Sequence, residues 1–170
     1  NTILNQIDNL SQIASEFSRF AKMPSLKIEV VDLIKEINNT INIFINERVK
    51  ISLDTELNEA LIEADANQLS RMFINFIRNS IQANASKIII NVKIVEDNFE
   101  IRISDNGTGI AEDIRDKIFN ENFTTKSQGM GLGLSMAKRF IENINGRILL
   151  ESTSGKGTTF KIIIPVFNKT

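Results

Sequence analysis

The 170-residue sequence contains no cysteine and no histidine. The first absence excludes disulfides and thiolate metal sites. The second removes a histidine general base, histidine metal ligands and every imidazole-based triad. Charge of one sign is not in excess either: Lys+Arg is 20 and Asp+Glu is 21. That balance gives no electrostatic case for a nucleic-acid partner or an anionic membrane surface. No apolar run approaches the roughly 20 residues needed to span a bilayer. The opening NTILNQIDNL has neither the basic n-region nor the apolar block of a signal peptide. It also lacks an initial Met, so the chain is expected to be a piece of something longer. What is present is a hydrophobic fraction of 42%, enough for a real core, in a length that allows one domain plus an appendage.

The chemistry-bearing residues gather between Asp105 and Leu134. The first piece is DNGTGI, a carboxylate followed by Gly107 and Gly109, directly after the apolar alternation Phe99, Ile101, Ile103 that reads as a strand. The second is FTTKSQGMGLGL, with Gly129, Gly131 and Gly133 alternating ahead of a helical sequence. Glycine permits positive φ and close backbone approach. Successive N–H groups in such a loop make an anion-binding nest, and the helix that follows adds its positive end. The pattern therefore reads as a phosphate cradle with a lone carboxylate deeper in the fold. By itself, Asp-Asn-Gly after a strand also fits a plain turn, and GxGxG before a helix is a weak fingerprint. There is no GxxxxGK[ST], and the βαβ setting of a dinucleotide site is missing.

Along the chain, Ile3, Ile7, Leu10, Ala14, Phe17 and Ala21 alternate steps of four and three, which predicts a helix over 1–22 with an a/d seam, closed by Pro24. Such a seam fits a partner helix or the chain's own domain. A short strand is expected at Lys27–Val31. A helix capped by Asp32 is expected over Leu33–Asn46. Strands follow at Val49–Leu53 and Ala60–Ala64. Asp65 then caps a helix over Ala66–Ala83 whose apolar face carries Leu69, Met72, Phe73, Phe76, Ile77 and Ser80. Asn75 and Asn79 stack on one flank of that face. Amides bordering a buried face are costly unless bonded or coordinated, and their carbonyl oxygens suit a hard cation such as Mg²⁺. Two partly solvated asparagines in an Asn-rich chain are the plainer alternative. Lys87–Val95 and Asn98–Ser104 predict an antiparallel hairpin with one wet face. A helix over Leu132–Asn145 ends at Asn145-Gly146. Ile148–Ser152 and Thr158–Val166 form a closing hairpin, with Ser154-Gly155-Lys156-Gly157 as its turn. The expectation is an α+β fold: a two-layer α/β sandwich, its mixed sheet mostly antiparallel with helices on one face.

Taken in order, these stretches resemble the ATP-binding domain of sensor histidine kinases, in the superfamily that also holds gyrase, Hsp90 and MutL. The Asn box is Asn75 to Asn79 within MFINFIRNSIQAN. The first glycine box is DNGTGI, the Phe box is IFNENFTTK at Ile118 to Lys126, and the second glycine box is GMGLGL at Gly129 to Leu134. GKGTTF, Gly155 to Phe160, matches the last family motif. EFSRFAKMP, Glu16 to Pro24, looks like the end of the dimerisation helix pair in kinases of the NtrY kind. The resemblance implies two parts: residues 1–24 as the end of a dimerisation and phosphotransfer helix with its linker, and 25–170 as the catalytic domain, of the histidine kinase/Hsp90 ATPase type.

It also implies roles. Asp105 would accept a hydrogen bond from the adenine amino group, with Gly107, Gly109 and Ile110 alongside the base. Asn79 would coordinate Mg²⁺, with Asn75 assisting. Gly129, Met130, Gly131, Leu132, Gly133 and Leu134 would form the phosphate cradle. Asn120 to Met130 would be an ATP lid anchored by Phe119 and Phe123. Thr125 and Lys126 would line the phosphates, and Thr158 would buttress the adenine side. The catalytic contributors would be Asn75, Asn79 and Lys126. Superfamily members that hydrolyse ATP carry a Glu four residues before the magnesium Asn; here Asn75 stands there, and an amide is no general base at neutral pH, so a kinase is favoured over an ATPase. Two departures are mild. Ser80 stands where the family often has Ala, and Asn145-Gly146 replaces a common His-Gly; neither is expected to touch the chemistry.

The implied function is transfer of the γ-phosphate of Mg-ATP to a histidine outside this chain. The implied partners are the histidine-bearing domain of the same protein and a response regulator, with a homodimer in the full-length protein. The implied location is cytoplasmic, with any membrane link through regions not in this chain. An anti-sigma-type serine kinase would need no upstream histidine, but is not expected to carry EFSRFAKMP. A degenerate nucleotide-binding or dimerisation module would have no reason to keep Asn79, Asp105 and three loop glycines together.

Overall fold

The computed structural model describes residues 27–120 and 132–167. The expected helix over 1–22 and most of the expected lid lie outside the described residues. Those that remain form strands β1 (Glu29–Asp32), β2 (Lys50–Asp54), β3 (Leu61–Ala64), β4 (Lys87–Val95), β5 (Asn98–Asp105), β6 (Arg147–Ser154) and β7 (Gly157–Pro165). The helices are α1 (Leu33–Ile43), α2 (Ala66–Gln82) and α3 (Gly133–Asn143), with a 3-10 helix at Glu112–Lys117.

Both capping expectations hold. The Asp32 carboxylate accepts from the Ile34 N–H at 3.0 Å and from the Ala60 N–H at 3.1 Å, so one side chain starts α1 and holds the approach to β3. Asp65 accepts from the Gln68 N–H at 3.1 Å and from the Lys27 N–H at 2.9 Å. The buried face of α2 is Leu69, Met72, Phe73, Phe76, Ile77 and Ser80, as its periodicity predicts. α1 is shorter than expected. It stops at Ile43 because Phe44 leaves the helix (φ −100°, ψ 13°) to enter the core, while Ile43 and Ile45 are left 61% and 76% exposed.

Five strands form the main sheet in the order β2-β4-β5-β7-β6. β2 runs parallel to β4, pairing Ile51 with Ile88 and Leu53 with Ile90, and the other pairs are antiparallel. The parallel pair is possible because β3 and α2 provide the crossover between β2 and β4. β1 and β3 form a separate antiparallel ribbon. The closing hairpin is tighter than expected: β6 reaches Ser154 and β7 begins at Gly157, leaving only Gly155 and Lys156 as the turn. The sheet's inner face presents Ile88, Ile90, Val92, Phe99, Ile101, Ile103, Phe160, Ile162 and Ile164, all buried in one core with the apolar faces of the helices. Each fully buried Ile or Phe contributes roughly 1.5–3 kcal/mol.

The outer face carries charge. Glu100 on β5 receives Lys161 from β7, Arg102 from its own strand, and Lys93 from β4 at 3.1 Å. Arg102 reaches across to β6 and grips both carboxylate oxygens of Glu151, at 2.7 and 2.8 Å. The Lys161 hydrogen bond, then those of Lys93 and Arg102, pull the Glu100 pKa from 4.5 to about 2 against the opposing effect of burial. Arg102 in turn lowers the Glu151 pKa. The network spans four strands of the sheet. Among the described residues no helix is long and apolar enough to cross a membrane.

Candidate nucleotide-binding site

Asp105 is the last residue of β5 and lies in register with Ile88 of β4 and Thr158 of β7. Its carboxylate is held from two sides. The Gly107 N–H donates to Oδ1 at 2.8 Å, and the Ser80 hydroxyl on α2 donates to Oδ2 at 2.8 Å. Gly107 itself is buried, and a Cβ there would lie 2.6 Å from the Ala83 carbonyl oxygen and 2.9 Å from the Ala83 Cβ. The loop can therefore press against the end of α2 only with glycine at this position. The Thr108 N–H completes the seam by donating to the Ala83 carbonyl at 2.9 Å.

Asn106, between the two, has a different task. Its Oδ1 accepts from the Ser86 and Lys87 N–H groups, both at 2.9 Å, and its Nδ2 donates to the Ser86 hydroxyl at 2.9 Å. The middle letter of DNG thus ties the loop to the start of β4. Gly109 takes φ 77°. The Ile110 N–H then donates to the Thr153 hydroxyl at 2.8 Å, so the end of the glycine box is fixed to β6.

The β6–β7 hairpin closes this side. Thr158 is buried, its hydroxyl 3.4 Å from that of Thr153. An aromatic chain links three boxes: Phe76 on α2 packs on Phe160 of GKGTTF with ring centroids 5.0 Å apart, and Phe119 meets Phe160 edge-on at 6.1 Å. The lid that Phe119 is expected to anchor lies outside the described residues.

Asn75 and Asn79 are both half-buried on α2. Asn75 faces the start of α3, where a Cβ on Gly133 would lie 3.6 Å from its Cγ, an ordinary contact distance. Leu132 is buried and Leu134 packs against the core. The first turn of α3, with no side-chain cap among the described residues, therefore starts beside the Asn box. Phe123, Thr125, Lys126, Gly129, Met130 and Gly131 lie outside the described residues.

The fold brings Asp105, Gly107, Gly109, Ile110, Phe119 and Thr158 together around the ends of β5 and β7, with Asn75 beside Gly133 at the start of α3 and Asn79 one turn further along α2. One expectation is corrected. Ser80, expected not to touch the proposed chemistry, is 4% exposed and bonds the Asp105 carboxylate directly. Its place on the α2 face was readable; the partner, 25 residues away, was not. Thr153 was not singled out from the sequence, since a Thr in a strand carries no local signal of a loop contact. Among the described residues buried Arg115 Nε has no hydrogen-bond partner, while Arg115 Nη2 lies 3.5 Å from the Thr153 carbonyl.

A mixed sheet with helices on one face, and a strand-end carboxylate facing a helix that carries an Asn pair, define the ATPase-type α/β sandwich. Residues 64–168 match the family described as histidine kinase-, DNA gyrase B-, and HSP90-like ATPase, and the chain belongs to that family. Its relatives include the sensor histidine kinase ZraS of Escherichia coli K12, 36% identical over 95% of this chain and 36% of that protein. A putative NtrY-like sensor histidine kinase of Rickettsia bellii is 28% identical over 94% of this chain and 27% of that protein. The chain thus spans about a third of the length of these curated relatives. The catalytic domain of histidine kinase ThkA superposes with a TM-score of 0.74 at 28% identity, covering 82% of this chain and 96% of that one. ThkA solved in complex with the response regulator protein TrrA gives a TM-score of 0.78 at 26% identity, covering 98% of this chain and 50% of that one.

Proposed function

We propose that this chain is the ATP-binding catalytic part of a two-component sensor histidine kinase, and that it delivers the γ-phosphate of Mg-ATP to a histidine outside residues 1–170. The observation that carries the reading is the Asp105 carboxylate, fixed at the end of β5 by Gly107 and Ser80. An ionised carboxylate only accepts hydrogen bonds, so it selects a ligand that offers a donor, as the adenine amino group does. Gly109 and Ile110 line the loop beside it, and Thr158 backs it from β7.

The phosphate end lies along the α2–α3 seam. The N-terminal turn of α3, at Leu132, Gly133 and Leu134, would offer backbone N–H groups to phosphate oxygens, together with the loop residues Thr125, Lys126, Gly129, Met130 and Gly131. The amide oxygens of Asn75 and Asn79 would suit a hard cation such as Mg²⁺, which would keep several waters and take phosphate oxygens as further ligands. Asn79 would add an amide oxygen, with Asn75 assisting. Phosphoryl transfer leaves the protein mainly positioning and charge neutralisation to supply. Asn75 offers no base for water, which favours an imidazole acceptor over hydrolysis.

The family match and the kinase relatives support this reading. The ThkA–TrrA complex supports a response regulator as partner. Residues 1–24 would be the end of the dimerisation and phosphotransfer helix, 25–170 the catalytic domain, and the longer protein a homodimer with this part in the cytoplasm. Phe123 would join Phe119 in anchoring the lid. The test is incubation of this chain with γ-labelled ATP, Mg²⁺ and the histidine-bearing helices of the same protein. Acid-labile, base-stable label on those helices is expected. Acid-stable label on serine, or no label while ATP binds, would contradict the reading.

A further inference from the structure

We infer that Ser80 is a positioning residue for Asp105 and sets how strongly the site prefers a 6-amino purine; this rests on the adenine reading of Asp105 given above. Ser80 Oγ lies 2.8 Å from Asp105 Oδ2, and the serine is 4% exposed. An ionised carboxylate cannot donate, so the hydroxyl is the donor and its proton is committed to Oδ2. The Gly107 N–H occupies Oδ1 in the same way at 2.8 Å. Two donors from different elements, α2 and the glycine loop, hold the carboxylate in one plane. Without Ser80 it is gripped at one oxygen and can rotate about its terminal torsion, which is intrinsically broad.

The geometry also fixes what remains. Each oxygen has spent one acceptor position on the protein, and Asp105 is only half-buried, so a ligand donor would have to use the positions left over. A ligand amino group must meet the carboxylate in the orientation that Ser80 imposes. Among the described residues the serine hydroxyl makes no second hydrogen bond. Its backbone carbonyl, which accepts from the Ala83 and Ala85 N–H groups at 3.1 and 3.0 Å, closes α2 whatever the side chain. Ser80→Ala therefore removes the hydroxyl and keeps the helix end.

The test is calorimetric affinity of this chain for ATP and for purine riboside triphosphate, which lacks the 6-amino group. Ser80→Ala is expected to weaken ATP by roughly tenfold, the scale of one charge-assisted hydrogen bond, and to leave the 6-unsubstituted nucleotide within about twofold, because that ligand has no donor to present to Asp105. Ser80→Thr, which keeps the hydroxyl, is expected to hold the parent preference. In the Asp105→Asn background, Ser80→Ala is expected to add no further loss. Equal weakening of both nucleotides by Ser80→Ala would mark a merely structural serine and overturn the inference, as would unchanged ATP affinity. If the parent chain itself shows no preference for the 6-amino nucleotide, the adenine reading falls and the inference with it. Urea midpoints of the variants check that each is folded at the assay temperature.

Discussion

Gly157 lies so close to Asp105 that a Cβ built on it would sit 2.0 Å from the Asp105 carbonyl oxygen and 3.2 Å from the Asn106 Cα. Its φ of 140° is also one that side-chain-bearing residues rarely adopt. The first residue of β7 thus fixes the last residue of β5. Gly157→Ala must move the backbone that presents the carboxylate. A loss of roughly 2–4 kcal/mol in stability is expected, read as a lower urea midpoint, with nucleotide affinity falling as well. Gly155→Ala is the control: among the described residues a Cβ there meets nothing within 4 Å.

Asn106 separates the stability of the site from its recognition. Its side chain closes three hydrogen bonds to Ser86 and Lys87 and does not contact the carboxylate of Asp105. Because these bonds are exposed, Asn106→Ala is expected to cost only about 1–2 kcal/mol. ATP affinity, measured where the variant is fully folded, should change by less than about threefold, that is by well under one hydrogen bond's worth.

Asp65 supports the helix that carries the Asn pair. It accepts from the Gln68 and Lys27 N–H groups and is 8% exposed. Asp65→Ala should lower stability by about 1–2 kcal/mol through loss of the cap, visible as a lower Tm. Asp65→Asn keeps one acceptor oxygen and should recover about half of that loss.

The outer charge network predicts an acid limb. Glu100 has its pKa lowered from 4.5 to about 2 by Lys161, Lys93 and Arg102. A depressed carboxylate pKa contributes stability that is complete above the unfolded value and is lost as pH falls through the folded one. The urea midpoint should therefore drop between about pH 4.5 and 2. Glu100→Gln should lower stability at pH 7 and flatten that drop. An unchanged acid limb in Glu100→Gln would assign it to other carboxylates.

Much of this arrangement was legible in the sequence because its signals are local. Asp32 and Asp65 as caps, the α2 face from Leu69 to Ser80, and the β4–β5 hairpin follow from spacing and side-chain chemistry alone. The site boxes were legible for the same reason, each being a short run with its own backbone demands. What escaped depends on distant pairing. The parallel β2–β4 match and the Arg102–Glu151 grip join residues 37 and 49 apart, and no local pattern encodes them. α1 ended early because Phe44 found a better place in the core than helical geometry offered. The burial of Ser80 is legible in the helical spacing, but its bond to Asp105 is not, since a hydroxyl on an apolar face does not announce its partner.

The most direct measurement is calorimetric ATP affinity of this chain, with and without Mg²⁺, for the parent and for Asp105→Asn. Mg²⁺-dependent binding in the micromolar to millimolar range is expected for the parent, about −8 to −4 kcal/mol. Asp105→Asn is expected to weaken it at least tenfold, about 1.4 kcal/mol, with its urea midpoint little changed. Equal ATP affinity in the two proteins, or no binding by a folded parent, would contradict the assignment of Asp105 as the residue that reads the base.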